Sequence, residues 1–335
     1  MNSDLIMRLD SVRKSFNVKG SFGKAHKPFR AVDGVSFGVR INGVFALVGE
    51  SGCGKSTVAR LALKLLDPDG GSIFFDGRDV SALRGAELLR FRRSVQIIFQ
   101  DPFASLNPRM RIADALAEPF HIHKLVPKRE VRDRVAALLE KVGMGPDAMD
   151  RYPHEFSGGQ RQRICIARAL TVSPRLIIAD EPLSALDVSI QAQILNLLQD
   201  IRKDTGIALV LISHDLKVVH YLSDEVGVMY LGKIVELSET GALFESPKHP
   251  YTKLLLSSAP KIRVRGEGSG VTEKGFKSGI PAPQPSNITS DVPSPIDIPH
   301  GCPFHPRCPE RFGPCDREIP ELKTRGGRLV ACHLA

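Results

Sequence analysis

The sequence GESGCGKST (49–57) decides the fold of this chain, because its residues have the spacing of a phosphate-binding loop. It follows the apolar run VFALV (44–48), which is typical of a strand buried on both faces. It precedes STVARLALKLL (56–66), whose apolar residues recur at helical spacing. Strand, glycine-rich turn and helix form the context that the pattern G-x-x-x-x-G-K-S/T requires, so a structural turn with a chance Lys-Ser pair is the weaker alternative.

The residue types in this loop predict nucleotide binding. Glycines let backbone N–H groups converge on phosphate oxygens, and the start of the following helix adds a partial positive charge. Lys55, which we count among the catalytic residues, is predicted to contact the terminal phosphates, and Ser56 to place its hydroxyl on Mg²⁺. The loop residues predicted to bind nucleotide are Gly49, Glu50, Ser51, Gly52, Cys53, Gly54, Lys55, Ser56 and Thr57.

An acidic pair at the end of a second strand supports this prediction. In LIIADE (176–181), an apolar strand ends in two carboxylates. Asp180, at the carboxyl edge of a parallel strand, is placed to hold Mg²⁺, and Glu181 could polarise an attacking water. Strand ends are often solvated, so the pair carries weight only because the phosphate-binding loop precedes it. Together the two elements predict a nucleoside triphosphatase.

The remaining patterns indicate an α/β protein. The strand patterns RLIIAD (175–180) and IALVLIS (207–213) alternate with the helical pattern IQAQILNLLQDIRK (190–203), which predicts a parallel sheet between helices. Residues from about 110 to 170 are helical in pattern. The segment DPDGGSIFFDG (67–77) has turn residues at both ends and resembles a hairpin.

Composition indicates a cored protein with a basic excess. Of the 335 residues, 42% are hydrophobic and 25% are charged, and no stretch reaches the roughly 18 to 20 apolar residues of a spanning helix. The net charge of +9 fits nucleic acid, an anionic membrane surface or phosphate ligands, but it fits an ordinary solvated surface as well. The N-terminus, MNSDLIMRLD, lacks the pattern of a secretory signal, so we expect a cytoplasmic protein.

The segment FSGGQRQR (156–163) resembles the signature sequence of ATP-binding cassette (ABC) proteins, with Phe156 in place of the usual leucine. It opens a helical pattern and so forms a second candidate anion site, although by itself it could be a serine cap followed by two flexible glycines. The resemblance implies contact with ATP in trans, because the family pairs its cassettes head to tail. The signature residues predicted to act in this way are Ser157, Gly158, Gly159 and Gln160.

Further motifs follow in the order that the family has. Gln100 matches the Q-loop, SALD (184–187) the D-loop and His214 the switch histidine. These matches imply that Gln100 contacts nucleotide and Mg²⁺, that His214 contacts the γ-phosphate, and that Glu181 is catalytic. Phe16 falls where the family has an aromatic residue that stacks on adenine, although a Phe near an N-terminal strand is more often part of a core.

The resemblance to the ABC family covers residues from about 5 to 250 and implies the fold. It implies an α/β P-loop NTPase of RecA-like type, in which a parallel sheet core carries an antiparallel β subdomain and an α-helical signature subdomain. The nucleotide-binding domain is expected over 1–255, with the helical subdomain at about 105–170. Because Gly, Pro and Ser are frequent there, 256–300 is expected to be an irregular linker, followed by a Cys-rich C-terminal extension at 301–335.

Three stretches resemble the oligopeptide/dipeptide importer branch of the family: FQDPFASLNPRM (99–110), ESPKHPYTKLLLSSAP (245–260) and the Cys-rich tail at 293–309. The branch implies an ATPase that energises uptake from the cytoplasmic face of the inner membrane. Its implied partners are a second ABC ATPase subunit in a heterodimer, two transmembrane permeases and an extracytoplasmic solute-binding protein, with no nucleic acid.

The transported substrate is open at this point, because relatives carry di- and oligopeptides, nickel chelates, glutathione or oligosaccharides. An alternative function is that of a soluble cassette ATPase acting on DNA or ribosomes. Such proteins typically carry two cassettes in one chain or a long inserted coiled coil, and this sequence has neither.

Four cysteines are crowded into the last 34 residues, with five, six and sixteen residues between them. A cytoplasmic location argues against disulfides, whereas four thiolates suit Zn²⁺ or an iron–sulfur cluster. The spacing lacks the C-x₂-C pairs of zinc ribbons, while nearby histidines keep a mixed site open. The candidate ligands are Cys302, Cys308, Cys315 and Cys332, with His300, His305 and His333 as possible additions.

The importer branch associates this tail with a [4Fe–4S] cluster, so the resemblance implies that cofactor in preference to Zn²⁺, beside ATP and Mg²⁺. Cys53 and Cys165, in the phosphate-binding loop and the signature helix, are not expected to be ligands. We expect the tail to lie outside the ATP machinery and its cluster to be structural or regulatory.

Overall fold

The computed structural model describes residues 4–18, 27–258, 293–294 and 296–335, so the predicted linker at 256–300 lies largely outside the described residues. The strands are β1 (Leu5–Val18), β2 (Lys27–Arg40), β3 (Val44–Val48), β4 (Gly70–Phe75), β5 (Arg78–Asp79), β6 (Val95–Ile98), β7 (Leu176–Asp180), β8 (Ala208–Ser213), β9 (Glu225–Tyr230), β10 (Lys233–Glu239), β11 (Lys323–Arg325) and β12 (Arg328–Val330). The helices are α1 (Lys55–Ala62), α2 (Gly85–Ser94), α3 (Pro102–Ser105), α4 (Ile112–His123), α5 (Val131–Lys141), α6 (Gly158–Leu170), α7 (Val188–Thr205), α8 (Leu216–Leu222), α9 (Thr240–Glu245) and α10 (Pro250–Ser258).

The larger sheet brings the predicted site elements to one edge. In the described part of the chain its strand order is β11-β12-β10-β9-β3-β8-β7-β6. Strands β6, β7, β8, β3 and β9 run parallel, and β10, β12 and β11 continue the sheet in antiparallel fashion. The carboxyl ends of β3 and β7, which lead into the phosphate-binding loop and the acidic pair, are therefore separated only by β8.

The central strands are buried over their whole length, as their apolar runs predict. Alternate side chains of β3 enter different layers of the core. Val44, Ala46 and Val48 pack with helices α4 to α7, whereas Phe45 and Leu47 pack with β1, β2 and α1. This two-residue alternation is the pleat of an ordinary strand, and it lets one short strand hold both layers together.

The smaller sheet is antiparallel, with the strand order β2-β1-β4-β5. Strands β4 and β5 form the hairpin predicted within 67–77, and the two turn residues, Asp76 and Gly77, have φ of 51° and 75°. Positive φ at both turn positions matches the twist of a two-residue hairpin. Helix α1 ends at Ala62, before the end of the predicted helical pattern, because Lys64 adopts a φ of 51°.

Helices α3 to α6 fill the segment between β6 and β7. The helical pattern predicted from about 110 to 170 corresponds to α4, α5 and α6, which pack against one another. Helix α6 also contacts α7, which follows the acidic strand. No helix in the part of the chain that the structure describes is long and apolar enough to cross a membrane.

The C-terminal residues are part of the main sheet. Strand β12 pairs with β10 through Glu236–Val330 and Leu237–Leu329, and β11 pairs with β12. Phe304 is 1% exposed and belongs to the same core cluster as the helices of the larger sheet. The Cys-rich segment therefore has no separate core of its own among the described residues.

Candidate nucleotide-binding site

Helix α1 begins at the phosphate-binding loop without a side chain to cap it. Its N-cap, Gly54, has φ of 111° and makes no side-chain cap hydrogen bond. A Cβ at this position would collide with the carbonyl of Ala31, so the loop requires glycine there. The first four N–H groups of a helix have no partner within the helix, and here they remain available to phosphate oxygens.

Lys55 lies inside the loop. Its side chain is 4% exposed, and Nζ donates to the carbonyls of Gly49 at 2.7 Å and Glu50 at 3.0 Å. These contacts keep the ammonium group at the centre of the loop, where it can exchange backbone oxygens for phosphate oxygens. The buried thiol of Cys53 lies beside the same ammonium group, with Sγ 3.9 Å from Lys55 Nζ, and burial raises the pKa of this thiol.

Ser56 and Asp180 come together across the sheet edge. Ser56 Oγ donates to Asp180 Oδ1 at 3.2 Å, although 124 residues separate the two in sequence. Burial raises the pKa of Asp180, while the Ser56 hydroxyl and the Lys55 charge oppose that shift. A hydroxyl beside a buried carboxylate is a donor set that Mg²⁺ prefers, so these residues fit the predicted metal.

Glu181 contacts two other predicted site residues through one of its carboxylate oxygens. Gln100 Nε2 donates to Glu181 Oε2 at 3.1 Å, and His214 Nδ1 lies 3.3 Å from the same oxygen. Glu181 has φ of 47°, a strained conformation for a residue with a side chain, and its N–H donates to the Ile212 carbonyl of β8. The backbone thus directs this carboxylate toward Gln100 and His214 at the end of the sheet.

Two residues that the sequence did not reveal hold the loop from outside. Tyr251 Oη accepts the N–H of Glu50 at 2.9 Å. Arg307 donates from both terminal nitrogens to the Glu50 carboxylate at 2.8 and 2.9 Å. Arg307 belongs to the Cys-rich segment, so the expectation that this segment lies outside the ATP machinery is wrong. No local spacing could have predicted the contact, because 257 residues separate the partners.

The signature residues lie apart from this loop. Ser157 Oγ accepts the N–H of Gln160 at 3.3 Å, and Gln160 Oε1 accepts the N–H of Ser157 at 3.0 Å. This reciprocal capping box starts α6. A Cβ on Gly159 would overlap Ile190 of α7, whereas one on Gly158 would only touch Leu186.

Phe16 lies on β1 of the antiparallel sheet. It pairs with Phe29 of β2, and the two rings are 6.5 Å apart between centroids. The Phe16 side chain is 37% exposed, so it is not the fully buried core residue that the alternative interpretation required. Its proposed adenine contact stays a prediction.

The cysteines of the tail are free thiols that lie near one another. The Cys302 N–H donates to the Cys315 carbonyl at 2.8 Å. Burial, followed by the proximity of Cys302, Cys332 and Cys315, raises the pKa of Cys308 to about 11, against a lowering contribution from the backbone of Glu310.

This arrangement does not confirm the predicted metal site. Within the described ranges, no three His, Cys, Asp or Glu side chains are spaced to hold a metal ion. His305 Nδ1 and His333 Nε2 each contact a backbone carbonyl at 3.0 Å, that of Cys302 and of Glu318. The structure therefore gives no support to the mixed zinc site and leaves the iron–sulfur prediction without geometric support.

Comparison with known proteins identifies the class. The family model described as "ABC transporter" matches residues 32–184, and the model described as "Oligopeptide/dipeptide transporter, C-terminal region" matches 235–279 and 274–315. A solved dimer of an ATP-binding cassette in a post-hydrolysis state, bound to ADP and Pi, has a TM-score of 0.62 and 26% identity, covering 70% of this chain and 98% of that chain. Fold and site together define an ABC ATPase.

Individual relatives show to which group of the family the chain belongs. The oligopeptide transport ATP-binding protein AppF of Bacillus subtilis is 47% identical over 99% of this chain and 98% of its own. The dipeptide transport ATP-binding protein DppF of Escherichia coli is 42% identical over 99% and 95%. A probable peptide ABC transporter ATP-binding protein of Sinorhizobium fredii is 47% identical over 99% and 90%. The chain belongs to the ABC transporter family, in its oligopeptide/dipeptide group, which confirms the predicted transporter ATPase over a soluble cassette acting on DNA or ribosomes.

Proposed function

We propose that this protein hydrolyses ATP to drive import of di- or oligopeptides, with its catalytic half-site at the carboxyl edge of the larger sheet. The observation that carries the proposal is the convergence of Gln100 and His214 on one oxygen of Glu181, beside the Ser56–Asp180 pair. The peptide substrate is supported by the names of AppF and DppF. Cargo selection falls outside this chain in the architecture of the family.

Each residue has a separate task in the proposed site. Lys55 binds the terminal phosphates of ATP. The phosphate oxygens then offset the free-energy cost of burying its ammonium group. Ser56 and Asp180 hold Mg²⁺, with Gln100 beside them, and the bound ion would offset charge on the β- and γ-phosphates. Glu181 orients and polarises the attacking water, and His214 contacts the γ-phosphate. Phe16 is proposed to stack on adenine.

The signature residues are proposed to act on a second nucleotide, bound by a partner cassette. Ser157, Gly158, Gly159 and Gln160 open α6, whose main contacts are with α3, α4, α5, α7 and β6, whereas those of α1 are with β2 and β7. A helix start set in another layer suits a ligand carried by another subunit. By analogy with the branch, the partner is a second ABC ATPase subunit in a heterodimer.

The permeases are proposed to contact the groove beside the Q-loop. A cavity of about 250 Å³ lies between β6, α4 and α6 and is lined in part by Phe99, Ile122 and Arg168. Phe99, which precedes Gln100 in sequence, is 44% exposed, and Ile122 is 56% exposed. A groove at this position would couple nucleotide contacts to two transmembrane permeases, and through them to an extracytoplasmic solute-binding protein. The protein would then work peripherally at the cytoplasmic face of the inner membrane, without nucleic acid.

The chain is proposed to divide as its sequence predicts. Residues 1–255 would form the nucleotide-binding domain, with the helical signature subdomain at about 105–170. A linker at 256–300 would connect it to the extension at 301–335. Pairing of β12 with β10 supports an extension that docks on the domain instead of moving independently.

The four tail cysteines are proposed to hold a [4Fe–4S] cluster. The proposal is supported by the resemblance of the tail, and the arrangement of the described side chains adds no support to it. Cys302, Cys308, Cys315 and Cys332 would hold the cluster through their thiolates. Replacing Cys308 by Ser should remove iron and acid-labile sulfide from anaerobically purified protein, and metal-free native protein would refute the cluster while leaving the ATPase intact.

The proposed site is tested by Glu181→Gln. The amide keeps the size of the side chain but cannot accept a proton from water, so ATP hydrolysis should fall at least about 100-fold while ATP affinity changes by less than about threefold. Steady-state phosphate release in the assembled transporter measures the first value, and equilibrium binding of ATP to the full-length subunit measures the second.

The matched control is Glu245→Gln at the exposed end of α9, which should leave both values unchanged. Turnover by Glu181→Gln at the native rate would contradict the assignment of the water-activating group. Loss of ATP binding in the same variant would mean that Glu181 supports the loop instead of the chemistry.

A further inference from the structure

We propose that Arg307 of the Cys-rich segment is a positioning residue for ATP binding. It acts through Glu50 of the phosphate-binding loop. The inference rests on the proposed ATP site and goes beyond it, because it assigns the C-terminal segment a part in that site. Its basis is a two-armed ion pair in which both terminal nitrogens of Arg307 contact both carboxylate oxygens of Glu50.

Glu50 is held through every polar group that it has. Its carboxylate binds Arg307, its N–H donates to Tyr251 Oη, and its carbonyl accepts from Lys55 Nζ. Lys55 also donates to the Gly49 carbonyl. A shift of Glu50 would therefore move the oxygen atoms that locate the phosphate-binding ammonium, as well as the backbone that the loop presents to ATP.

The surroundings of Arg307 make this more than a surface ion pair. Its side chain is 8% exposed, against 25% for that of Glu50. The guanidinium lies 5.9 and 6.0 Å from the ring centres of Phe304 and Tyr230, and those rings are packed against Tyr251. A fork-to-fork pair with this little water has one geometry, so it can transmit position as well as charge.

Arg307 is itself fixed to the cysteine segment. It ends the 3₁₀ turn His305–Arg307, and its N–H donates to the Phe304 carbonyl. Cys308 follows directly, and the Cys302 N–H donates to Cys315. The segment is tied to the main sheet beyond this point, where the Ala331 N–H donates to the Val235 carbonyl. A movement of the cysteine segment would thus move the phosphate-binding loop through the side chain of Arg307.

Charge gives the pair a further effect on ATP. Without Arg307, the Glu50 carboxylate would carry an unpaired negative charge within the loop that must accept a triphosphate, and so would repel the phosphates at short range. Arg307 both neutralises that charge and holds the carboxylate in one position. Removing Arg307 should therefore weaken ATP binding, and removing the charge of Glu50 as well should restore it.

The experiment measures ATP affinity of the full-length subunit by equilibrium binding. Arg307→Ala should raise the Kd for ATP about tenfold, which corresponds to about 1.4 kcal/mol. Arg307→Lys keeps the charge without the fork and should raise it about threefold. The double variant Arg307→Ala/Glu50→Gln should return to within about threefold of native. Hydrogen exchange of residues 49–56 should speed up in Arg307→Ala and recover in the double variant.

The matched control is Lys253→Ala, which breaks an ion pair of 2.8 Å to Glu310 of the same segment at a more exposed position. It should change the Kd by less than about twofold. An Arg307→Ala variant that binds ATP as the control does would overturn the inference, as would a double variant as weak as Arg307→Ala. If Arg307→Ala does not fold, a native Kd for ATP in Arg307→Lys would overturn the inference in its place.

Lys55→Ala separates the two proposals. It should abolish ATP binding, because it removes the charged donor of the loop. Native affinity in Lys55→Ala would refute the proposed ATP site as a whole. Lost affinity in Lys55→Ala with native affinity in Arg307→Ala would refute the positioning role alone.

Discussion

Helices α1 and α6 both begin at a glycine-containing loop, but they present different chemistry at their N-termini. Helix α1 follows Gly54 without a side-chain cap, so its first N–H groups are free for a ligand. Helix α6 has a complete capping box between Ser157 and Gln160. The first loop therefore offers its helix N–H groups without competition from a cap, whereas in the second the N–H of Gln160 is already bonded to Ser157.

The two loops also differ in what supports them. The phosphate-binding loop is held by Tyr251 and Arg307, from segments far along the chain, and by close packing of Gly54 against Ala31. The signature loop is supported locally, since Gly159 packs on Ile190 of the neighbouring helix α7. A loop that binds phosphate through fixed backbone groups requires such external support, because any movement would misplace several donors at once.

The largest expected difference between the loops comes from adding one methyl group to each. Gly54→Ala should lower the free energy of unfolding by about 2 kcal/mol and abolish ATP binding, because the residue has positive φ and its Cβ would strike the Ala31 carbonyl. Gly158→Ala should leave stability unchanged, since its Cβ would lie 3.5 Å from Leu186, an ordinary contact. Chemical denaturation and ATP binding of each variant measure the two effects.

The proposed function adds a second outcome for this pair. Gly158→Ala should keep ATP affinity in the isolated subunit but reduce hydrolysis in the assembled transporter, because the signature acts on the partner's nucleotide. Equal destabilisation by the two substitutions would remove the structural distinction between the loops.

The support of the phosphate-binding loop should weaken in acid. The pKa of His249 is lowered to about 3, mainly because the ring is almost fully enclosed and also because of the nearby Lys253 charge, while a hydrogen bond with Ala331 opposes both. Its Nδ1 accepts the N–H of Tyr251, which requires the neutral ring. The unfolded chain takes up the proton near pH 6.5, so stability is highest above that pH and falls by about 1 kcal/mol per unit as the pH drops toward 3.

The pH dependence is measured by chemical denaturation between pH 7 and pH 5. His249→Gln should lower stability overall but flatten its slope with pH, because the titrating group is gone. His121→Gln, at an exposed position of α4, is the control and should keep the native slope. If His249→Gln keeps the native slope of stability with pH, other groups govern the acid sensitivity. The loss of stability in acid would then not arise from the support of the phosphate-binding loop.

The smallest expected effect concerns the cap of α6. Ser157→Ala removes the acceptor of the Gln160 N–H and should lower the free energy of unfolding by about 0.5 to 1 kcal/mol. Because the capping box is local, hydrogen exchange should increase only in the first turn of α6. A loss of stability well above this value would mean that the signature loop has external support like that of the phosphate-binding loop.

Local patterns in the sequence predicted most of the catalytic elements. The all-apolar runs of β3, β7 and β8 predicted buried strands, and the residues that end them predicted the phosphate-binding loop and the acidic pair. These predictions work because strand burial and helix starts depend on residues adjacent in sequence. Gln100 and His214 were assigned to the site only by resemblance to the ABC family, and their contacts with Glu181 came from the structure.

The sequence by itself determined the α/β class, the loop that binds phosphate and the motifs that mark an ABC ATPase, because each is written in neighbouring residues. Only the tertiary structure decided that Arg307 and Tyr251 hold Glu50, and that the tail joins the main sheet through β10. Such contacts join segments far apart in the chain, and their partners are chosen by packing and charge in the folded state. No spacing within either segment encodes them.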